Sequence, residues 1–402
     1  MRPIEAWAIA AGMGVIACSG RGGDTDPGAG TDVRTRVGAG TGVGTGAGVG
    51  SPAGATADAG VLDARARDAG PGTDASPTTD AGLAAPRHAR CGWLGADDTA
   101  GYAAFAANAD YYDAVHPDWY ALGADGVSLR AMTGADDPTV LSAAQARGVQ
   151  LIPMIDGAES GDEVLLRAMM SDPTKRAAHV QALVALATSK RYAGLDLDYE
   201  HLWQAGDRPL FTQLVTETAA AMHAVGKQLS IPVPALADGA DTNAWDYGAL
   251  APLLDTVHVM GYDYHSIGTH AGPTAPLGWI DAVGAHAAST GYASKFVLGV
   301  PNYGVTPSWY CALADCPAAC TGPLATSTTH MDGNNCSYNV DTHYTAGRSL
   351  NCDSANGALF FDDTASLEEK VQTAKAHGLG GITYWTIGSE PPGFLAMVQS
   401  YY

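Results

Sequence analysis

The chain has 402 residues, a net charge of −21 and only 16% charged side chains, and 50 of its residues are glycine. Its acidity argues against nucleic acid, which requires a positive protein surface, and against an anionic lipid surface held by basic residues. No apolar run reaches the roughly 18 residues of a membrane-spanning helix, so the composition predicts a soluble acidic domain with a disordered part.

Residues 1–18 have the features of an export signal: Arg2 near the start, a short apolar stretch and small residues. The segment Val15-Ile16-Ala17-Cys18 resembles the bacterial lipobox. This resemblance predicts that Cys18 is lipidated and becomes the N-terminus of an exported lipoprotein, held at the cell envelope. The alternatives are a plain signal peptide cleaved nearby, which would give a secreted protein, or a misassigned start codon.

Residues 19–87 are predicted to be a disordered linker rich in glycine, alanine and threonine. The stretch 19–90 contains no aromatic residue of the Phe, Trp or Tyr type, so it cannot bury enough apolar surface to offset the entropy of ordering. Its simplest role is a flexible tether, and a segment that folds on binding is the alternative. Residues 88–402 then form a single large domain, which carries nearly all of the net charge.

Apolar, β-rich runs recur eight times in this domain, and helical patterns lie between most of them. The runs lie at 89–95, 111–122, 149–156, 193–200, 228–235, 255–263, 295–304 and 380–388. The clearest helical patterns lie at 162–170, 174–190, 208–225, 277–290 and 366–377. Such alternation predicts an α/β fold with a parallel sheet, and eight units fit a (β/α)8 TIM barrel. A doubly wound open sheet is the alternative, although no GxGxxG follows the first run.

A cysteine-rich insertion at 305–358 interrupts the seventh unit and lacks helical periodicity. A loop of this length inside a compact domain is unusual unless it is functional or cross-linked. Six cysteines remain once Cys18 is set aside: Cys91, Cys311, Cys316, Cys320, Cys336 and Cys352. In an exported protein they are expected to form disulfides, mostly within the insertion, with the connectivity left open. Zinc binding is the competing hypothesis, but no paired CxxC is present.

The run at 193–200 contains Asp196, Asp198 and Glu200 at alternate positions. Because side chains alternate between the faces of a strand, the three carboxyl groups share one face and Leu195 and Leu197 share the other. Three buried carboxylates would repel one another, so at least one should hold a proton near neutral pH. A protonated carboxyl beside an ionised one is what a general acid requires. A solvated acidic strand end and a divalent-metal cluster are the alternatives.

This strand resembles the D-x-x-D-x-D-x-E motif of glycoside hydrolase family 18, which includes chitinases and related N-acetylglucosaminidases. Asp196, Asp198 and Glu200 match the motif, whereas Ala193 replaces its first aspartate. Any support that the first carboxylate gives to the strand is therefore lost here.

Three later segments are similar to the same family, in the same order. Residues 260–263 (MGYD) resemble its M-x-Y-D, residues 298–304 (LGVPNYG) its strand-seven motif, and Trp385 stands where strand eight supplies a tryptophan. The run at 149–156 lacks the usual S-x-G-G of strand three. The resemblance covers about 89–400.

The resemblance implies a catalytic role for four residues. Glu200 would protonate the leaving oxygen, while the nucleophile is the N-acetyl carbonyl oxygen of the substrate itself. Asp198 would orient the acetamido N–H, Asp196 would share a proton with Asp198, and Tyr262 would aim the acetamido oxygen at the anomeric carbon. The reaction would proceed with net retention.

Other residues are expected to contact the sugar: Asp263, Met260, Trp385, Trp119, Tyr120 and Tyr303. The segment 114–126, which holds Trp119 and Tyr120, is similar to the cell-wall and spore-cortex branch of the family. Core packing is the alternative role for Met260, Tyr262 and Trp385. His258 is more simply a core histidine, and a metal at His265 and His270 is a further alternative.

The implied substrates are chitin, chito-oligosaccharides or peptidoglycan, which all present N-acetylglucosamine. A non-catalytic sugar-binding lipoprotein and a metal-dependent hydrolase on the same barrel are the alternatives. We expect no cofactor, a polysaccharide or oligosaccharide partner, no nucleic acid, membrane contact only through the N-terminal lipid, and a monomer.

Overall fold

The computed structural model describes residues 89–402, except 160, 205, 238–243, 270, 307, 328–346 and 356. The predicted signal at 1–18, the linker at 19–87, Cys336 and His270 lie outside the described residues. Within the described part of the chain, no helix is both long enough and apolar enough to cross a membrane.

Strands and helices alternate along the described chain. In chain order the strands are β1 (Trp93–Leu94), β2 (Ala114–Leu122), β3 (Leu129–Ala131), β4 (Gln150–Leu151), β5 (Met154–Gly157), β6 (Gly194–Tyr199), β7 (Gln228–Pro234), β8 (Thr256–Met260), β9 (Phe296–Pro301), β10 (Tyr303–Thr306), β11 (Trp309–Ala312), β12 (Ala325–Ser327), β13 (Ser349–Ser354), β14 (Gly357–Phe361) and β15 (Gly381–Trp385). The α-helices are α1 (Thr99–Ala107), α2 (Pro138–Arg147), α3 (Asp162–Ser171), α4 (Pro173–Ser189), α5 (Asp207–Ala224), α6 (Tyr247–Leu250), α7 (Leu277–Ser289), α8 (Cys316–Ala319), α9 (Thr364–Ala376) and α10 (Phe394–Gln399). Short 3-10 helices lie at Ala109–Tyr111 and Ala293–Lys295.

A parallel barrel forms the centre of the domain. Its strands are hydrogen-bonded in the order β1-β2-β5-β6-β7-β8-β9-β15, and a parallel bridge between Arg90 and Ile382 joins the last strand to the first. The backbone N–H of Cys91 donates to the carbonyl of Ile382 at 2.9 Å across this closure. The predicted (β/α)8 barrel is confirmed, and the open doubly wound sheet is wrong.

The two faces of β6 differ as the alternation predicts. Leu195 and Leu197 are fully buried beneath the helices, and the Tyr199 hydroxyl on the same face lies 2.5 Å from Nε2 of His179 in α4. The start of α4 is fixed by Asp172, whose side chain accepts from two backbone N–H groups of the first turn. The helices thus cover the apolar face, and the three carboxyl groups point into the barrel.

The described part of the insertion folds as an antiparallel sheet rather than as an irregular loop. Its strands run in the order β11-β10-β14-β13-β12, and two disulfides, Cys311–Cys316 and Cys320–Cys352, cross-link it. The prediction of bridges within the insertion is confirmed for these four cysteines. Cys91 lies instead in the barrel, where it packs with Ala114, Ile152 and Ala193, so the expectation that it belongs to the disulfide set is wrong.

Candidate active site

Asp196 lies inside the barrel and is surrounded by groups from four other strands. Its carboxylate accepts from Trp93 Nε1 at 3.2 Å and from the Ser230 hydroxyl at 2.5 Å. Nδ1 of His116 and Nδ1 of His258 lie 3.2 and 3.3 Å from its two oxygens. Burial alone would raise the pKa of Asp196, but His258 and His116 outweigh burial and hold the pKa below the ordinary range of an aspartate. Asp196 is therefore the ionised member of the strand.

Asp198 has the opposite environment. Burial raises its pKa well above the usual range, and the nearby carboxyl groups of Glu200 and Asp156 raise it further. Asp156 on β5 is the residue that pairs with Asp198 in the parallel register. Oδ1 of Asp198 is buried and has no hydrogen-bond partner among the described residues. Asp198 thus holds a proton, and one of its oxygens is left without a partner in the described structure.

Glu200 lies immediately after β6, at the C-terminal end of the barrel, where active sites of this fold are built. Burial, together with the charges of Asp156 and Asp263, raises the pKa of Glu200 to about 7. The side chain is therefore balanced between its acid and base forms near neutral pH. This balance suits a group that first donates and later accepts a proton.

Asp263 and Tyr303 connect two of the segments that resemble family motifs. The Tyr303 hydroxyl donates to Oδ1 of Asp263 at 2.6 Å, and the backbone N–H of Asp263 donates to the Thr274 hydroxyl at 3.0 Å. Asp263 has a φ of 63°, in the left-handed region that aspartate tolerates better than most residues. Burial raises the pKa of Asp263 to about 6, despite the lowering effect of side-chain hydrogen bonds with Tyr303 and Thr274.

Tyr262 points its ring between two aromatic neighbours. Its centroid lies 6.4 Å from that of Trp93 and 6.0 Å from that of Tyr303, both in edge-on geometry. Burial raises the pKa of Tyr262 well above its usual range, and the charges of Asp198 and Asp263 add to the effect. The hydroxyl therefore keeps its proton and can act as a hydrogen-bond donor.

Trp385 and Met260 lie at the same end of the barrel. Trp385 closes β15, is partly exposed, and has its ring 6.3 Å from that of Trp93. Met260 ends β8 and is also partly exposed, opposite Gly299 of β9. Both side chains retain surface that a ligand can contact.

Trp119 and Tyr120 do not lie at the cleft, so the prediction that they line it is wrong. Trp119 is fully buried and its Nε1 donates to the Tyr102 hydroxyl of α1 at 3.2 Å. The Tyr120 hydroxyl lies 2.8 Å from that of Tyr192, in the layer between barrel and helices. Trp119 lies on the face opposite Asp118 by ordinary alternation. Tyr120 joins it there because of an irregularity in β2 between Asp118 and Tyr120, since an extra residue in one strand reverses the faces of those that follow.

The sequence leaves two metal sites open, a divalent cation at the carboxyl groups of β6 and a metal at His265 and His270. The hydrogen-bond partners of Asp196 and His265 do not favour either site. Indole and hydroxyl donors contact Asp196, and a cation would compete with them for the same oxygens. Nδ1 of His265 lies 2.8 Å from the carbonyl oxygen of Pro273.

A model of the glycosyl hydrolases family 18 matches residues 103–390. The chain belongs to this family. The match takes in every barrel strand except β1, and it includes all the candidate catalytic and sugar-contacting residues. Residues 260–263 and 298–304 both lie inside the matched range, at two strands that this barrel places side by side.

Several known proteins are similar to this chain along most of its barrel. The cortical fragment-lytic enzyme of Bacillus subtilis is 24% identical over 271 residues, covering 66% of this chain and 60% of the relative. A class V chitinase of Arabidopsis thaliana is 27% identical over 277 residues, covering 61% and 70%. The crystal structure of a chitinase from Chromobacterium violaceum superposes with a TM-score of 0.65 at 23% identity, covering 77% of this chain and 98% of that one. This chain spans 55% to 61% of the length of its first Bacillus relatives.

The structure also identifies residues that the sequence analysis missed. Asp118 and Asp156 add two buried carboxyl groups beside Asp198; burial and Asp156 raise the pKa of Asp118 to about 8, and burial raises that of Asp156 to about 6. Trp93, His116 and Ser230 hold Asp196. Two features of the sequence could have indicated these residues. His116 and Asp118 share a face of β2 by alternation, and Asp156 ends the run at 149–156.

Proposed function

We propose that the chain is a retaining glycoside hydrolase that cleaves β-1,4 bonds in glycans containing N-acetylglucosamine, with the substrate's own acetamido group as nucleophile. The observation that carries the proposal is the division of roles on one face of β6. Asp196 is held ionised, Asp198 is protonated with Oδ1 available, and the pKa of Glu200 lies at about 7. Membership of family 18 supports the same chemistry.

In the first step, Glu200 donates its proton to the glycosidic oxygen while the acetamido carbonyl oxygen attacks the anomeric carbon. The bond to the leaving sugar breaks, and a cyclic oxazolinium ion forms. The Asp198 carboxyl orients the acetamido N–H through its available oxygen, and the Tyr262 hydroxyl donates to the acetamido oxygen. In the resting state we place the shared proton on Asp198 rather than Asp196, because donor groups surround the oxygens of Asp196.

In the second step, the Glu200 carboxylate takes a proton from water as the water oxygen attacks the anomeric carbon. The attack comes from the side that the leaving group occupied, so the oxazolinium opens with net retention and Glu200 regains its acid form. Trp385 supplies an apolar surface beneath the reacting sugar, and Asp263, held by Tyr303, contacts the sugar or Glu200.

For the substrate we propose envelope glycan or chito-oligosaccharide rather than crystalline chitin. Two kinds of relative support this class: an enzyme named for lysis of cortical fragments and enzymes named as chitinases. Chitin and peptidoglycan both present N-acetylglucosamine in β-1,4 linkage, so one reacting subsite serves both.

The test is incubation of the purified chain with chito-oligosaccharides and with purified peptidoglycan, followed by mass spectrometry and by anomeric analysis of fresh products. We expect β products and a loss of at least about 10²-fold in kcat for Glu200→Gln, with oligosaccharide binding retained. Glu368→Gln is the matched control, because the same chemical change on α9 leaves an amide oxygen that still accepts from Tyr401.

Each contrary result identifies a different error. Full activity of Glu200→Gln would remove Glu200 from the acid role, and α products would exclude the substrate-assisted route. Binding without turnover by the unsubstituted chain would favour the sugar-binding alternative. Inhibition of hydrolysis by EDTA with an unchanged circular dichroism spectrum would favour the metal-dependent one.

We further propose export with lipidation at Cys18. The two disulfides of the insertion support an oxidising compartment. Partition into the detergent phase, lost in Cys18→Ala, is the expected result. Unchanged processing of Cys18→Ala would refute lipidation and would have no bearing on the proposed hydrolase activity.

A further inference from the structure

A buried group of metal-ligand side chains lies in the barrel, toward the N-terminal ends of the strands. Cys91 precedes β1, His116 is on β2, and His258 is on β8, across the barrel from β2. The Cys91 Sγ and one ring nitrogen of each histidine lie within 4.8 Å of one another. All three side chains are at most 1% exposed. The group contains none of the residues to which we assign a step in hydrolysis.

The two imidazole rings present polar atoms that the described protein does not satisfy. Their centroids are 4.4 Å apart at an interplanar angle of 84°. In the part of the chain that the structure describes, Nε2 of both His116 and His258 is buried without a hydrogen-bond partner, whereas Nδ1 of each ring faces Asp196. Buried polar atoms are nearly always satisfied, so two such atoms in two facing rings indicate a bound species between them.

The surroundings of the two histidines resemble those of protein metal ligands in one further respect. Asp196 approaches Nδ1 of each ring, at 3.2 and 3.3 Å, which leaves Nε2 of each ring for an ion. Metal-binding histidines commonly direct their second nitrogen at a carboxylate, which fixes the orientation of the ring. One carboxylate here serves both rings.

We propose that Cys91, His116 and His258 form a buried binding site for one Zn²⁺ ion. A thiolate with two imidazoles is a ligand set that suits zinc and does not suit magnesium or calcium. Tetrahedral zinc holds such ligand atoms roughly 3.3–3.7 Å apart, so the three atoms need to close by about 1 Å. Binding releases the Cys91 thiol proton and replaces it with a sulfur–zinc bond.

The ion would connect β1 and β2 to β8 through the interior of the barrel. Because the site is fully enclosed, zinc would be bound as the barrel folds, and its binding free energy would add to the stability of the fold. The proposal does not depend on the proposed hydrolase activity, since a protein without turnover would bind zinc at this site equally well.

The test is the metal content and metal affinity of the full chain. We expect one Zn²⁺ per chain, measured by plasma mass spectrometry after growth with Zn²⁺ and a chelator wash. Cys91→Ala should lower the Zn²⁺ affinity at least about tenfold in competition with a chromogenic chelator. Cys336→Ala is the matched control, because it makes the same chemical change at a cysteine that is not one of the three proposed ligands, and it should leave stoichiometry and affinity unchanged.

Replacement of zinc by Co²⁺ gives a readout that does not depend on stability. We expect a thiolate-to-cobalt charge-transfer band in the unsubstituted chain and in Cys336→Ala, absent from Cys91→Ala with an unchanged circular dichroism spectrum. If Cys91→Ala does not fold, His116→Asn takes its place with the loss of affinity as readout. Zinc content no higher than the buffer blank, or no charge-transfer band in the unsubstituted chain, would overturn the proposal.

Discussion

The substitution Asp156→Asn tests how the pKa of Glu200 is set. Asp156 pairs with Asp198, and Glu200 follows two residues later. Neighbouring strands about 4.8 Å apart and a rise of about 6.6 Å over two residues place Asp156 about 8 Å from Glu200. At an effective dielectric constant of about 20, one charge at that distance contributes about 2 kcal/mol. Partial exposure of Glu200 reduces this interaction energy, so we expect the pKa of Glu200 to fall by about one unit in Asp156→Asn.

The sign of the effect follows from the role of Glu200 as the acid. Its pKa is raised to about 7, first by burial and then by Asp156 and Asp263. Above its own pKa of about 6, Asp156 is ionised, and removal of that charge makes the glutamic acid easier to deprotonate. The variant should therefore lose activity between about pH 6 and 7, where Glu200 of the unsubstituted chain still carries its proton.

The assay is the pH profile of kcat/KM on a soluble chito-oligosaccharide, because this parameter reports the pKa values of the free enzyme. The alkaline limb should move about one unit toward acid in Asp156→Asn, whose side-chain oxygen can still accept from the Ala158 N–H. Asp281→Asn on α7, which removes an exposed carboxylate paired with His377, should leave the limb in place. An alkaline limb that stays fixed or moves upward in Asp156→Asn would refute the electrostatic account.

Three further substitutions test the placement of individual side chains. Tyr303→Phe removes the hydrogen bond to Asp263 and should lower kcat/KM about tenfold with the same circular dichroism spectrum; unchanged kinetics would make the contact incidental. Joint replacement of Cys320 and Cys352 by alanine opens a cross-link that spans 32 residues, and should cost about 3–4 kcal/mol in thermal unfolding; an unchanged Tm would contradict this. Trp119→Phe removes the bond to Tyr102 and should cost about 1–3 kcal/mol with KM unaltered, whereas a raised KM at constant stability would return Trp119 to the cleft.

The barrel could be predicted because each of its strands has a local signal. Leu195 and Leu197 alternate with carboxyl groups on β6, and α4 begins after an aspartate followed by a proline at the first helical position. These patterns depend only on neighbours in the sequence. The insertion was harder, because the strands of an antiparallel sheet are defined by partners far along the chain, such as β10 with β14.

The error at Tyr120 arose where one residue changed the register of β2. Regular alternation along β2 would bring Tyr120 into the barrel with His116 and Asp118. The irregularity after Asp118 instead pairs Tyr120 with Ile155 and Ala121 with Asp156, so Tyr120 faces the helices. No composition or spacing in this segment signals the extra residue, because a bulge is fixed by pairing with the neighbouring strand.

The protonation states of the three carboxyl groups could not be read from β6 itself. Asp196 and Asp198 have the same residue type, lie two positions apart and share one face, yet their pKa values move in opposite directions. The difference comes from other strands: β1, β2, β7 and β8 bring hydrogen-bond donors and two histidines to Asp196, while β5 brings a carboxylate to Asp198. The motif therefore supplies three carboxyl groups whose pKa values cannot be told apart from the sequence, and the closed barrel gives them different pKa values. Ser230→Ala, on β7, removes a hydrogen bond to the Asp196 carboxylate. It should therefore change the pKa of Asp196 more than a substitution of the sequence neighbour Leu195, whose side chain lies on the opposite face of β6.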